Sequence, residues 1–267
     1  MRAPASLLAG LAILALSAGL AAVPQWVAPS SPRSFDYANL LHAPSAAHPL
    51  GTDEFGRDML SRVIWGYGVD MQIALFATVP ALLVGTIVGA LAGYFGGLLE
   101  SLLLQLVGVV IAFPFLVLVI AIVTVLGPGL TNMYVATALV GWVFYARLML
   151  AEMKIQSRLD YASAARAMGY GQARIIFRHL VPNAAGAVLV FWMTDMALSI
   201  LLGSSLGYLG LGAQPPVAEW GALIASGKNY ITTAWWMTLF PGIAIVLTGL
   251  AFSLTGDGLG ILLGVRR

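Results

Sequence analysis

An all-α membrane protein with six transmembrane helices is the fold class this chain predicts, and three observations carry the prediction. Hydrophobic side chains make up 60% of its 267 residues and charged ones only 9%, far below the roughly one quarter charged expected of a soluble domain. Mean hydropathy is +0.92, and apolar runs recur at the roughly 20 residues a helix needs to cross about 30 Å of hydrocarbon. Stretches such as ALLVGTIVGALAG and FLVLVIAIVTVLG are apolar all round. They lack the alternating polar positions of a β-barrel wall, so helices are the only spanning structure they fit.

The spans fall at about residues 5–23, 72–93, 101–126, 132–150, 184–211 and 237–263. The first follows Arg2 and ends in the small residues of LSAGLAAVPQ, so a cleavable signal peptide and a retained helix both fit. Its apolar run exceeds the roughly 7 to 15 residues of a signal core, which favours retention. Six crossings place both termini on one side. Arg147, Lys154, Arg158, Arg166, Arg174 and Arg178 follow the fourth span, and Arg266 and Arg267 end the chain. By the positive-inside rule that side is cytoplasmic. The external side takes the 24–71 segment, where Arg33, Arg57 and Arg62 face Asp36, Asp53, Glu54, Asp58 and Asp70, and the 212–236 loop with Lys228 and Glu219. Three regions follow: an N-terminal helix and external segment (1–71), a membrane core (72–263) containing the cytoplasmic 151–183 loop, and a short tail (264–267).

The formal net charge of +2 reflects a small arginine surplus and does not point to nucleic acid. Cysteine is absent and His42, His48 and His179 are scattered, so no metal-ligand spacing appears and no cofactor is expected. No G-x-x-x-x-G-K-[ST] phosphate loop occurs, so the chain is not expected to bind or hydrolyse ATP.

The 151–183 loop holds the most informative pattern. SRLDYASAARAM favours helix, Gly169 and Gly171 supply a break, and QARIIFRHLV resumes helical character until Pro182. Two short helices around a glycine turn are predicted. Ala162, Ala164, Ala165 and Ala167 give the first a surface of little bulk, and Arg174 and Arg178 lie one turn apart on the second. Such an element can dock in another protein's groove or lie on anionic lipid.

Elsewhere, Asp195 sits near the middle of the fifth span, where a carboxylate takes a pathway or helix-packing role. GTDEFGRDMLSR reads as an amphipathic surface segment whose ion pairs contribute little each, or as a contact for a partner. Trp220, Trp235 and Trp236 read as interface anchors. Pro114 and Pro241 can kink the helices that contain them.

The spacing of Ala164, Ala165, Gly169 and Pro182 resembles the cytoplasmic EAA loop of permease subunits in binding-protein-dependent ABC importers. Ser163 stands where that motif has Glu, His179 where it has an aliphatic residue, and Val181 where it has Leu. HPLGTDEFGRDMLSRVIWG, AGYFGG, AFPFLVLVIAIVTVLGPGL, GWVFYARL, LGLGAQPPVAEWGALI and LFPGIAIVLTGLAFSLTGDGL extend the resemblance, in order along the chain, to the C-type permeases of dipeptide, oligopeptide and nickel importers. The chain departs from many of them at Gln105, Gly108 and Gly203, where they carry charged residues.

The resemblance implies a type I ABC importer permease fold in the inner membrane, with the EAA loop as a coupling helix that fits a groove in a cytoplasmic ATPase. It assigns that role to Ser163, Ala164, Ala165, Gly169 and Pro182, with Arg166, Arg174 and Arg178 at the rim. It also implies as partners a homologous B-type permease, two cytoplasmic ATP-binding subunits and an extracytoplasmic substrate-binding protein, within membrane lipid. Peptides, nickel chelates and glutathione are the solute classes it brings. A stand-alone secondary transporter is the competing reading, with Asp195 its only mid-span acid and no inverted repeat to support it. An enzyme in the membrane would need a Ser/His or metal-ligand constellation that the spans lack.

Overall fold

The computed structural model describes residues 4–265. Arg2, Arg266 and Arg267, used in the orientation reading, lie outside the described residues. The order is α1 (Ala5–Ala22), α2 (Pro24–Val27), α3 (Met59–Phe95), α4 (Gly97–Ile111), α5 (Phe115–Leu126), α6 (Leu130–Gln156), α7 (Asp160–Ala167), α8 (Gln172–Arg174), a π-helical turn (Ile175–Leu180), α9 (Val181–Tyr208), α10 (Trp220–Gly227) and α11 (Trp236–Leu262). Among the described residues five helical segments are long and apolar enough to span a membrane, and the α4–α5 pair, bent by 84°, brings the count to six if it is one span.

That bend corrects the expected single span over 101–126. Pro114 has no N–H to donate and disfavours a helical conformation at Phe113, and α5 starts afresh with Pro114 as its N-cap.

The third helix also begins well before residue 72. The Asp58 carboxylate accepts hydrogen bonds from the Ser61 backbone N–H at 2.8 Å and the Ser61 hydroxyl at 2.7 Å, an N-cap that starts α3 at Met59. Pro182, expected to stop a helix, lies in the first turn of α9. There the missing proline N–H costs little, and the preceding π-turn carries the chain into α9 without a break, its last Val181 N–H reaching back to the Ile176 carbonyl.

Helices α3 and α6 form the centre of the bundle because glycines let their backbones approach. A Cβ on Gly85 would lie 2.4 Å from the Trp142 carbonyl oxygen, one on Gly89 2.3 Å from that of Ala146, and one on Gly93 2.7 Å from that of Leu150. Small residues at four-residue spacing are how membrane helices gain close van der Waals contact. The matched increments mean that α3 and α6 run parallel, so the α4–α5 pair must return the chain between them as one broken crossing. Gly10 of α1 and Gly258 of α11 pack in the same way, with Gly10 against Thr255 and Gly258 against Leu7.

At the α3 N-terminal end the 28–58 segment forms a cap, and the charges of GTDEFGRDMLSR are mostly buried in it, which corrects their reading as a surface turn. Asp53 is fully buried and Arg57, Asp58 and Arg62 nearly so. The Asp53 carboxylate accepts from the backbone N–H groups of Phe55 and Arg57, each at 2.9 Å, from Arg57 Nε at 2.7 Å, and from Arg62 Nη1. Trp220 and Trp236 are likewise internal, leaving Trp235 as the exposed one of the three. Trp220 Nε1 donates to the Val63 carbonyl at 3.1 Å and Trp236 Nε1 to the Thr52 carbonyl at 2.9 Å, so both tie loops to α3 and the cap. Glu219 caps α10 by accepting from the N–H groups of Gly221 at 2.6 Å and Ala222 at 2.8 Å. Burial pushes its carboxyl up to about 7, against the opposing pull of those two N–H groups.

Candidate functional site

At the opposite end of the bundle, beyond the C-terminus of α6, residues 157–180 fold into a compact projection. Helix α7 ends in a Schellman motif: Gly169 N–H donates to the Arg166 carbonyl at 2.9 Å and Tyr170 N–H to the Ala165 carbonyl at 3.3 Å. Gly169 takes φ +75°, a left-handed conformation that costs other residues roughly 1–2 kcal/mol. The glycine turn expected from sequence is therefore present, with a defined physical task.

The alanines divide between two faces. Ala162 and Ala165 are buried against Met149 and Met153 of α6 and against Ile175, Ile176 and Leu180 of the π-turn. They hold α7 onto the bundle and do not form part of an outer surface, a correction to the expected small-residue face. Ser163, Ala164, Arg166 and Ala167 remain exposed. Arg166 Nη2 donates to the Ser157 carbonyl at 2.9 Å and to Ser163 Oγ at 3.2 Å, so Ser163 steadies a cation across the outer face.

The second half of the projection is pinned by aromatic contacts. The Arg174 guanidinium lies 4.3 Å from the Tyr170 ring centroid, and Tyr170 stacks on His179 with centroids 5.6 Å apart. Arg174, Arg178 and Pro182 are exposed. Ile175 and Ile176 share a core with Ala162 and Ala165 of α7, Met149 and Met153 of α6 and Ala184 and Val188 of α9, so α7 is packed into one cluster with both long helices.

The second feature lies within the bundle. Asp195, midway along α9, accepts a 2.5 Å hydrogen bond from the Tyr145 hydroxyl of α6. The carboxylate borders a cavity of about 460 Å³ lined by Phe115, Phe144, Phe191, Leu198 and Ser199 among others. This cavity and the projection are separate sites joined by α6 and α9. Gly203 packs on Ile73, whose Cγ2 would lie 2.6 Å from a Cβ there. Gln105 reaches Ser101 Oγ of its own helix at 3.3 Å. Among the described residues there is no cluster of three or more His, Cys, Asp and Glu side chains able to hold a metal.

Residues 85–263 match the family described as the binding-protein-dependent transport system inner membrane component. The chain is 37% identical over 260 residues to the glutathione transport system permease protein of Pectobacterium atrosepticum, covering 97% of this chain and 86% of that one. It is 40% identical over 258 residues to a di/tripeptide transport system permease protein of Pseudomonas aeruginosa, covering 94% and 85%. To the dipeptide transport system permease protein of Alkalihalophilus pseudofirmus it is 39% identical over 222 residues, covering 83% and 73%.

Proposed function

Because the chain belongs to the family of binding-protein-dependent transport system inner membrane components, we propose that it is the non-catalytic permease subunit of an ATP-driven importer for peptides or a related small solute such as glutathione. It forms half of a translocation pathway with a homologous permease. Two cytoplasmic ATPase subunits supply the energy and an extracytoplasmic binding protein delivers the solute. The observation that carries this reading is the α7 projection: an exposed face of Ser163, Ala164 and Arg166, backed by Ala162 and Ala165 in a core shared with α6 and the start of α9.

In this reading the projection is cytoplasmic, as are both termini, and the buried Asp53 cap is external. Small side chains on the outer face of α7 let the wall of an ATPase groove approach closely, with Arg166, Arg174 and Arg178 at its rim. ATP binding draws the two ATPases together and carries α7 with them. Through Ile175, Ile176 and Met153 the movement reaches α9 and α6, the helices bordering the Asp195 cavity, and the pathway turns from the cytoplasm to the outside. Solute released by the binding protein then enters.

Purification of the intact membrane complex through a tag on this chain tests the assignment. Co-purification of a second permease and ATPases, with ATP-dependent uptake of alanyl-alanine or glutathione by reconstituted vesicles when the binding protein is supplied, is the expected result. A chain that purifies alone and transports without ATP contradicts it and favours the secondary transporter.

A further inference from the structure

The Asp195 cavity carries an inference that rests on the importer reading and goes beyond it. A carboxylate in the middle of a spanning helix is tolerated where it faces protein or water and is partnered. Its hydrogen-bonding partner here is the Tyr145 hydroxyl, a neutral donor. No ion pair among the described residues involves Asp195. A carboxylate serving only to pack helices would be sealed between them. This one instead borders an open cavity of about 460 Å³, within the few hundred to 1,000 Å³ typical of small-molecule sites.

The rest of the lining suits one chemical class. Phe115, Phe144 and Phe191 line the same cavity as the carboxylate, in a wall otherwise completed largely by leucines, and aromatic faces attract cations as a carboxylate does. Ser199, one helical turn from Asp195, adds a hydroxyl at the cavity wall. The Tyr145 hydroxyl holds one carboxylate oxygen, which reduces the rotamer freedom left to lose when a ligand arrives.

We propose that the Asp195–Tyr145 pair and its aromatic surround form an amine-recognition site in the translocation pathway, where the carboxylate receives the protonated amino group of the solute in transit. Asp195 is then a direct contact and Tyr145 a positioning residue.

The absence of cysteine from the chain allows a direct test. Leu198, three residues from Asp195, is 55% exposed and lines the same cavity, so Leu198→Cys places one thiol beside the carboxylate. In the purified complex, rates of labelling by cationic 2-aminoethyl methanethiosulfonate and by the neutral methyl reagent are compared. The cationic-to-neutral ratio should fall about tenfold when Asp195→Asn is added and be largely retained with Asp195→Glu, which also controls for misfolding. Alanyl-alanine should slow cationic labelling more than N-acetyl-alanyl-alanine does.

A ratio indifferent to Asp195→Asn overturns the proposal; that result is also expected if a basic residue of the sister permease already pairs with Asp195. Equal protection by the two dipeptides overturns it as well. Failure of the importer reading shows elsewhere, in wild-type vesicles that take up no solute with ATP.

Discussion

Ala164→Trp should lower ATP-driven solute uptake by roughly thirtyfold or more while the chain still inserts and folds. Ala164 is exposed on α7 and touches none of the chain's own core, so the larger side chain meets solvent in the isolated subunit. In the proposed importer it would meet the ATPase groove, and obstructing the centre of an interface costs on the order of 2 kcal/mol or more. Ala165→Trp has a different expected signature. Ala165 is 2% exposed, so overpacking there costs about 1–3 kcal/mol of stability and lowers the amount of folded protein. Uptake measured beside thermal unfolding separates the two. Full uptake by Ala164→Trp would place the coupling contact somewhere other than the outer face of α7.

Asp53→Ala should destabilise the chain by about 3–5 kcal/mol, the usual cost of removing one partner from a buried ion pair. Asp53 is wholly inaccessible and pairs with both Arg57 and Arg62, Arg57 also lying 3.7 Å from Glu54. Without it two guanidinium groups stay buried, and the N–H groups of Phe55 and Arg57 lose their acceptor. The Glu100–Lys154 pair between α4 and α6 provides the contrast. Its side chains are 20% and 41% exposed, so Glu100→Ala should cost at most about 1 kcal/mol. Thermal unfolding in detergent checks both, together with proteolysis of the 28–58 segment. Equal melting of Asp53→Ala and wild type would contradict the structural role given to the cap.

Much of the bundle was legible from hydropathy, because a spanning helix must be apolar over its whole length. What hydropathy reads poorly is where a helix starts and bends. Asp58 starts α3 inside a polar stretch that hydropathy assigns to a loop, and the signal for it was an Asp with a Ser three residues on. Pro114 lay in plain view, yet a proline in a membrane helix is compatible with anything from a mild kink to the 84° turn observed. The GTIVGALAG stretch appeared only as an apolar run, although its four-residue glycine spacing was the signal for the α3–α6 contact.

The projection was legible in kind, through its alanines and Gly169, and incomplete in detail. Which alanines face outward depends on how α7 rolls on the π-turn, and a helix this short has no periodicity strong enough to decide it. Burial of Asp53 with Arg57 and Arg62 could not be read from charge pattern, since the same residues in the same order also make an exposed turn. The Asp195 pairing with Tyr145, fifty positions away, is a tertiary fact with no local trace.

The central claim, that α7 is where an ATPase takes hold of this subunit, is tested most directly at Ser163. Ser163→Cys places one thiol on the exposed face of α7 in a chain otherwise free of cysteine. Benzophenone-4-maleimide attached to that thiol in the complete complex should, on irradiation, insert into a neighbouring C–H bond and join this subunit to an ATPase in good yield above that of the cysteine-free chain, with a yield that changes between nucleotide-free and ATP-bound states. No cross-link to an ATPase in either state, with the same thiol freely labelled by a small reagent, would contradict the account.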